Sequence, residues 1–233
     1  MKLINKGTEP KVFANWKKGN PGLNYDSFSR TPVYRDVREA LLKEQGYICC
    51  YCEKRIEGNG DCSIEHFMPR HPDPDNLSVN ECRICTNAQL DYSNMLVSCE
   101  SDTIIEERDH CNHKKSNWFD FKLWVSPTNP EILKLFEYSE SGKINPQNND
   151  ERAVEMIRRL NLNSYILQEQ RKVQYDMIVD CEFEDENLWN DQDYIKATMD
   201  FYYDFGEDGK YTPFCSMIRD CLKKYLLSDG TSR

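Results

Sequence analysis

Residues 49–69 read CCYCEKRIEGNGDCSIEHFMP, and this stretch decides the fold. Cys49 and Cys52 form a Cys-x-x-Cys knuckle, a turn whose two thiolates point at one metal. Zinc takes four such ligands in a tetrahedron, with Zn–S near ~2.3 Å. Two further pairs could complete it: Cys82/Cys85, again Cys-x-x-Cys, and Cys99/Cys111. Ser63–Phe67 is a β-type run that carries Glu65 and His66 side by side. Neighbours on a regular strand point to opposite faces. Glu65 and His66 can therefore share one site only if the strand bends, and Pro69 stands just beyond it.

Outward from this stretch, residues 47–120 hold eight of the 11 cysteines and all four histidines. Met95–Ser98 is a second β-type run, and Asn94, just ahead of it, reads as a turn former. The segment between the runs, residues 69–90, is rich in Pro, Asp and Asn and reads as a loop. Cys111-Asn112-His113-Lys114-Lys115-Ser116-Asn117 offers a thiolate, an amide, an imidazole and two cations at one helix start. That helix is expected to run toward Trp118 and Phe119.

The whole chain has 233 residues, enough for a sizeable core in one large domain or two modest ones. Charged residues make up 30% and aromatic residues 12%, which excludes a disordered chain. No apolar run approaches the ~18 residues of a membrane span, and the first residues carry no apolar signal core. A cytoplasmic protein without disulfides is the expectation, so the cysteines read as metal ligands or free thiols. Net charge is −10, whereas proteins that grip nucleic acid unaided are usually basic. Residues 1–45 run against that balance, with nine basic and five acidic residues for a net +4.

Three regions follow. Residues 1–30 read as a basic, extended N-terminal arm with spaced aromatics at Phe13, Trp16, Tyr25 and Phe28. Residues 31–126 hold a helix opened by Thr31-Pro32, with Val33, Val37 and Leu41 at helical spacing and Gly46 as its stop, then the metal-ligand region. Residues 127–233 read as a mostly helical domain, with a turn at Ser141-Gly142 and a break at Asn145-Pro146. Its helical patterns cover 150–160, 164–180, 191–205 and 212–227. Asp150 and Ser164 are N-cap residues, and Cys181, Cys215 and Cys221 read as core thiols.

Taken in order, a cysteine knuckle, an acidic-His pair, a central Asn, a second strand, a returning Cys and a helix opening Asn-x-x-Lys resemble the HNH nuclease motif. The strings CCYCEKRI, SIEHFMPR, YSNMLVSC and CNHKKSNW look like the HNH proteins of Septu-type and retron-associated anti-phage systems, the PtuB family. Gly142-Lys143-Ile144-Asn145-Pro146 and Leu160-Asn161-Leu162-Asn163 are similar to that family's C-terminal half. The resemblance covers roughly residues 30–180. It implies an α+β fold: a ββα-metal finger with a zinc knuckle, followed by a mostly α-helical, partner-docking C-terminal domain.

What the resemblance implies for chemistry is specific. His66 is the general base. Glu65, where the family more often has Asp, and Asn112 hold a catalytic Mg²⁺ or Mn²⁺, with His113 as the alternative to Asn112. Asn94 is a structural brace, and Lys114 and Lys115 meet phosphate. Structural Zn²⁺ falls to Cys49, Cys52, Cys99 and Cys111, because the family's second pair follows the second strand. The eleven residues between Cys99 and Cys111, where two are usual, would form an excursion closing on itself. Cys82/Cys85 remain candidates for a second zinc with Cys62, His71 or His110.

The implied activity is phosphodiester hydrolysis, of DNA first and of structured RNA such as tRNA as the alternative. The implied partners are an ABC-type, PtuA-like ATPase and a retron reverse transcriptase with its RNA/DNA product. A zinc-stabilised binding module without catalysis is the reading from another class, and Glu65, His66 and Asn112 are what it would not need.

Overall fold

The structure is a computed structural model that describes residues 1–100 and 109–226. The first helices correct the extended arm. Helix α1 (Lys11–Gly19) and the single turn α2 (Tyr25–Phe28) pack onto the body, with Phe13 and Phe28 at 0% exposure. The cause is the aromatic spacing itself. Phe13 and Phe28 meet with ring centres 4.6 Å apart, and Trp16 meets Phe28 at 5.3 Å, so the segment buries too much apolar area to stay extended. Its cations are partly spent locally: Lys6 pairs with Glu44 at 2.8 Å and Lys17 with Glu9 at 2.6 Å.

Helix α3 (Pro32–Glu44) begins where Thr31-Pro32 predicts and buries Val37, Leu41 and Leu42. Gly46 stops it with φ +55, and a Cβ there would lie 2.5 Å from the Tyr211 ring, so only glycine fits. Strand β1 (Cys62–His66) then pairs antiparallel with β2 (Met95–Cys99) in the register Cys62↔Cys99, Glu65↔Leu96, His66↔Met95. The connection is not all loop. It carries helix α4 (Val79–Asn87), opened by a capping box in which Ser78 and Glu81 exchange side-chain bonds. That Ser-x-x-Glu signal was available at 78–81 beneath the Pro- and Asp-rich composition.

Helix α5 (Asn112–Lys115) is one turn only, halted by Ser116 at φ +49, so Trp118 and Phe119 follow it outside the helix. Next comes a second small hairpin, β3 (Phe136–Tyr138) with β4 (Ile144–Pro146). Asn145 and Pro146 thus lie in an edge strand, where proline's missing N–H costs no ladder bond, and do not break the chain. Gly142 turns this hairpin at φ +79, and a Cβ there would stand 2.0 Å from the Gln168 carbonyl oxygen.

Helices α6 (Glu151–Arg159), α7 (Tyr165–Glu182), α8 (Gln192–Tyr203) and α9 (Cys215–Lys223) follow, with Asp150 and Asp191 accepting cap bonds from Arg152 and Tyr194. The last helix starts later than its pattern because Phe214 takes a left-handed φ of +57. Residue 227, the end of that pattern, lies outside the described residues. Cys215 and Cys221 are core thiols as expected, but Cys181 is exposed.

Among the described residues the molecule is thus mixed α and β: helices around two small two-stranded sheets. One buried cluster runs from Phe13 through both hairpins to Leu222, continuous across residue 127. Backbone bonds stitch it: Cys111 N–H donates to the Leu160 carbonyl at 2.9 Å, and Phe214 N–H to that of Glu53 at 3.1 Å. Among the described residues no helix is long and apolar enough to cross a membrane.

Candidate functional site

The four sulfurs of Cys49, Cys52, Cys99 and Cys111 all lie within 4.8 Å of one another, and all four residues are buried. Cys49 and Cys111 Sγ stand 3.8 Å apart and Cys52 and Cys99 Sγ 3.7 Å. A zinc tetrahedron with Zn–S of ~2.3 Å has S···S edges of about 3.8 Å, so the donor set fits Zn²⁺. The hairpin register and the knuckle turn create this approach. Cys99 closes β2, Cys111 sits on the turn before α5, and the Cys99 N–H donates to Cys49 Sγ at 3.3 Å. Gln45 clamps knuckle to strand: its Nε2 donates to the Ile48 and Val97 carbonyls at 2.9 and 2.8 Å, and its Oε1 accepts from Val97 N–H at 2.7 Å.

Among the described residues this is the one cluster of Cys, His, Asp and Glu able to hold a metal. Cys82 and Cys85 are not part of it: Cys82 on α4 contacts the Leu77 carbonyl. His110 borders the four-cysteine cluster instead, with Nδ1 3.2 Å from Cys111 Sγ. The expected excursion falls largely on residues 101–108, outside the described residues.

Beside this centre, at the end of β1, Glu65, His66 and Asn112 line one cleft of about 360 Å³. His66 is the last residue of β1, still paired with Met95, so the strand does not bend between Glu65 and His66; both nonetheless line the cleft that opens at this strand end. Asn94 braces the segment that follows. Fully buried, it accepts from Met68 N–H at 2.8 Å and donates to the Met68 and Ala88 carbonyls at 3.0 and 3.2 Å.

His66 is 6% exposed, and burial pushes its imidazole down to about 3, with the Arg70 and Lys115 cations acting the same way and the Gln89 carbonyl opposing them. The ring is therefore neutral at neutral pH. Its Nε2 lies 3.0 Å from the Gln89 carbonyl, which can only accept, so Nε2 carries the proton and Nδ1 holds the basic lone pair. Tyr25 meets this ring edge-on with centres 4.4 Å apart, and so fixes its plane.

Glu65 Oε1 accepts from the Tyr51 hydroxyl at 2.8 Å and pairs with Lys115 Nζ at 2.9 Å, which leaves Oε2 without a protein partner among the described residues. Asn112 Nδ2 donates to Ser63 Oγ at 3.0 Å. Its Oδ1 is buried with no hydrogen-bond partner among the described residues. A carboxylate and an orphaned amide oxygen on one cleft are hard oxygen donors, and they fit a divalent cation such as Mg²⁺.

Other expected residues are placed differently. His113 lies outside this cleft and is half-exposed, its Nε2 against Glu100, so Asn112 is the one that faces the site with Glu65. Lys115 is 1% exposed, and its ammonium is held by Glu65 and by the His66 carbonyl at 3.2 Å. A contact from it to phosphate is not what this placement provides. Lys114 is exposed on a neighbouring groove.

Sequence reasoning missed Tyr51, Tyr25 and Ser63. Tyr51 sits inside the knuckle string itself, and its position between two ligand cysteines was the available signal. Tyr25 lies far away in the chain, and no local pattern links it to His66.

Fold and site thus define a mixed α and β protein with a four-cysteine cluster able to hold a metal, beside a cleft of oxygen and imidazole donors. Over 152 residues, 63% of the chain, it is 30% identical to a protein of Vibrio cholerae serotype O1 biovar El Tor named "Retron Vc95 putative HNH endonuclease"; the match spans 67% of that protein. No family model matches the chain. The chain belongs to this retron-associated HNH endonuclease family.

Proposed function

We propose that the chain is a metal-dependent endonuclease that hydrolyses phosphodiester bonds, with DNA as the favoured substrate. It would act as the effector of a retron or Septu-type anti-phage system of the PtuB kind. The observation that carries this reading is the buried, unpartnered Asn112 Oδ1 in the same cleft as Glu65 and His66. A buried amide oxygen without a partner costs about 1–3 kcal/mol, which a ligated cation would offset.

In this reading His66 Nδ1 takes the proton of the attacking water, while Nε2 keeps its bond to the Gln89 carbonyl and holds the ring in place. Glu65 Oε2 and Asn112 Oδ1 would hold the cation, which supplies charge relief on the phosphate and the leaving oxygen. Tyr51 and Lys115 fix the other Glu65 oxygen, so the carboxylate is oriented before substrate arrives. Cys49, Cys52, Cys99 and Cys111 would hold a zinc that ties the hairpin to the turn before α5 and so sets Glu65 and Asn112 relative to each other.

The net charge of −10 opposes unaided approach to a polyanion, so this reading includes a partner that brings the substrate. An ABC-type ATPase docking on the helical half, together with a retron reverse transcriptase and its RNA/DNA product, fills that role. The test is cleavage of labelled DNA and RNA with Mg²⁺ or Mn²⁺, with and without the neighbouring-gene ATPase. DNA cleavage that rises when the ATPase is added supports the reading. Full activity of the isolated chain, unchanged by the ATPase, removes the partner; cleavage of RNA alone removes DNA; no cleavage under any condition removes the enzyme.

A further inference from the structure

A second, larger groove of about 560 Å³ adjoins the catalytic cleft, and the two share His71, Ser116 and Asn117 in their walls. Its far wall comes from outside the finger. Arg159, the last residue of α6, lies over the face of Trp118 with its guanidinium carbon 5.3 Å from the ring centre. Glu155, one turn back, fixes the inner edge of that guanidinium by accepting from Nε at 2.7 Å. The outer amino groups of Arg159 have no protein partner among the described residues. Lys114 is exposed on the same groove. Its one carboxylate, Asp73, is occupied by the Asp75 N–H and the Asn76 amide. In a chain of net charge −10, this groove is a local surplus of positive charge beside the proposed catalytic cleft.

A guanidinium set over an indole and bonded at its inner edge to a carboxylate presents its outer amino groups as a fork, the geometry that suits a phosphate. We propose that Arg159, with Lys114, binds a backbone phosphate of the nucleic-acid strand next to the one cleaved, so that the helical half contributes directly to substrate grip. This rests on the nuclease reading above. The groove and the catalytic cleft share His71, Ser116 and Asn117 as walls, so a strand whose reacting phosphate meets Glu65 and Asn112 need only cross that shared wall to reach it. Trp118 serves as the rest for Arg159, a positioning role.

Arg158 supplies the control. It is the preceding residue on α6, it pairs with the same Glu155, it is 60% exposed, and it does not line the groove. Arg158→Ala and Arg159→Ala remove the same charge. Binding of a fluorescently labelled single-stranded DNA would be measured by anisotropy across a salt series, in the presence of Ca²⁺ to suppress cleavage. Arg159→Ala should weaken binding about tenfold and shallow the log–log salt slope by about 0.7, the loss of one phosphate contact on a single strand. Arg159→Lys should recover part of the affinity, and Arg158→Ala should match the parent. Equal effects from the two alanine variants, or none from Arg159→Ala, overturn the proposal while leaving the nuclease reading intact. A parent protein that neither binds nor cleaves any oligonucleotide, alone or with the ATPase, overturns both.

Discussion

Asn112 and Ser63 are joined by a 3.0 Å bond from amide Nδ2 to hydroxyl Oγ, and that bond fixes which way the amide faces. With its N–H committed to β1, the Asn112 oxygen is left buried and without a partner among the described residues. Asn112→Ala should therefore lower Mn²⁺ affinity about tenfold or more, read by isothermal titration without substrate. Ser63→Ala, which only frees the amide to rotate, should cost less. The two-ligand arrangement is wrong if Asn112→Ala binds Mn²⁺ as the parent does.

His66→Ala should reduce cleavage by about 10² to 10⁴, the usual contribution of a general base, with zinc content unchanged. A folded variant that turns over normally would end the mechanism. His66 also predicts a pH effect on stability. Its folded value of about 3 lies below the ordinary 6.5, so the unfolded chain binds the proton first. Stability is then lost as pH falls from about 6.5 toward 3, by about 1 kcal/mol per pH unit. On acidification from pH 7 the denaturant midpoint of the parent should fall relative to that of His66→Gln, which has no imidazole to protonate. Parallel curves would show that burial of this ring carries no such penalty.

Zinc should survive mild chelation that strips Mg²⁺, because four thiolates hold it far more strongly than two oxygens hold a hard cation. Cys49→Ser or Cys111→Ser should unfold the hairpin, while Cys82→Ser, off the cluster on α4, should be mild. Elemental analysis that finds no zinc in folded protein would remove the centre.

Local signals were the legible ones. The Cys-x-x-Cys knuckle, both strands of the first hairpin, and the starts of α3 and α6 follow from spacing and caps within a few residues. The N-terminal glycines and prolines are local signals that favour an extended segment, whereas the partners of Phe13 and Phe28, which fold it, lie in the folded body. The same limit hid Tyr25 on His66 and Arg159 on the groove. Lys115 shows the opposite error. Its place in a basic run suggests solvent, yet the carboxylate that claims it lies across the fold on β1. Charge in sequence says which groups exist; only packing says which are already spent.

That last pairing yields a stability test. Lys115 is 1% exposed and Glu65 8%, and their atoms stand 2.9 Å apart with Tyr51 on the same oxygen. Removing one partner strands the other charge in the interior, which costs about 3–5 kcal/mol. Lys115→Met should therefore lower unfolding stability by about that amount, measured from the denaturant midpoint. Lys115→Arg keeps the charge and should lose less, limited by fitting a larger head under Trp124, whose ring centre is 5.5 Å from the ammonium. Adding Glu65→Leu to Lys115→Met removes both charges together. Replacing a buried pair by apolar groups is often neutral, so the double variant should regain most of the lost stability while remaining unable to cleave. If the double variant is no more stable than Lys115→Met alone, the cost lies in packing around the lysine stem, and the ion pair is not what holds Glu65 in place.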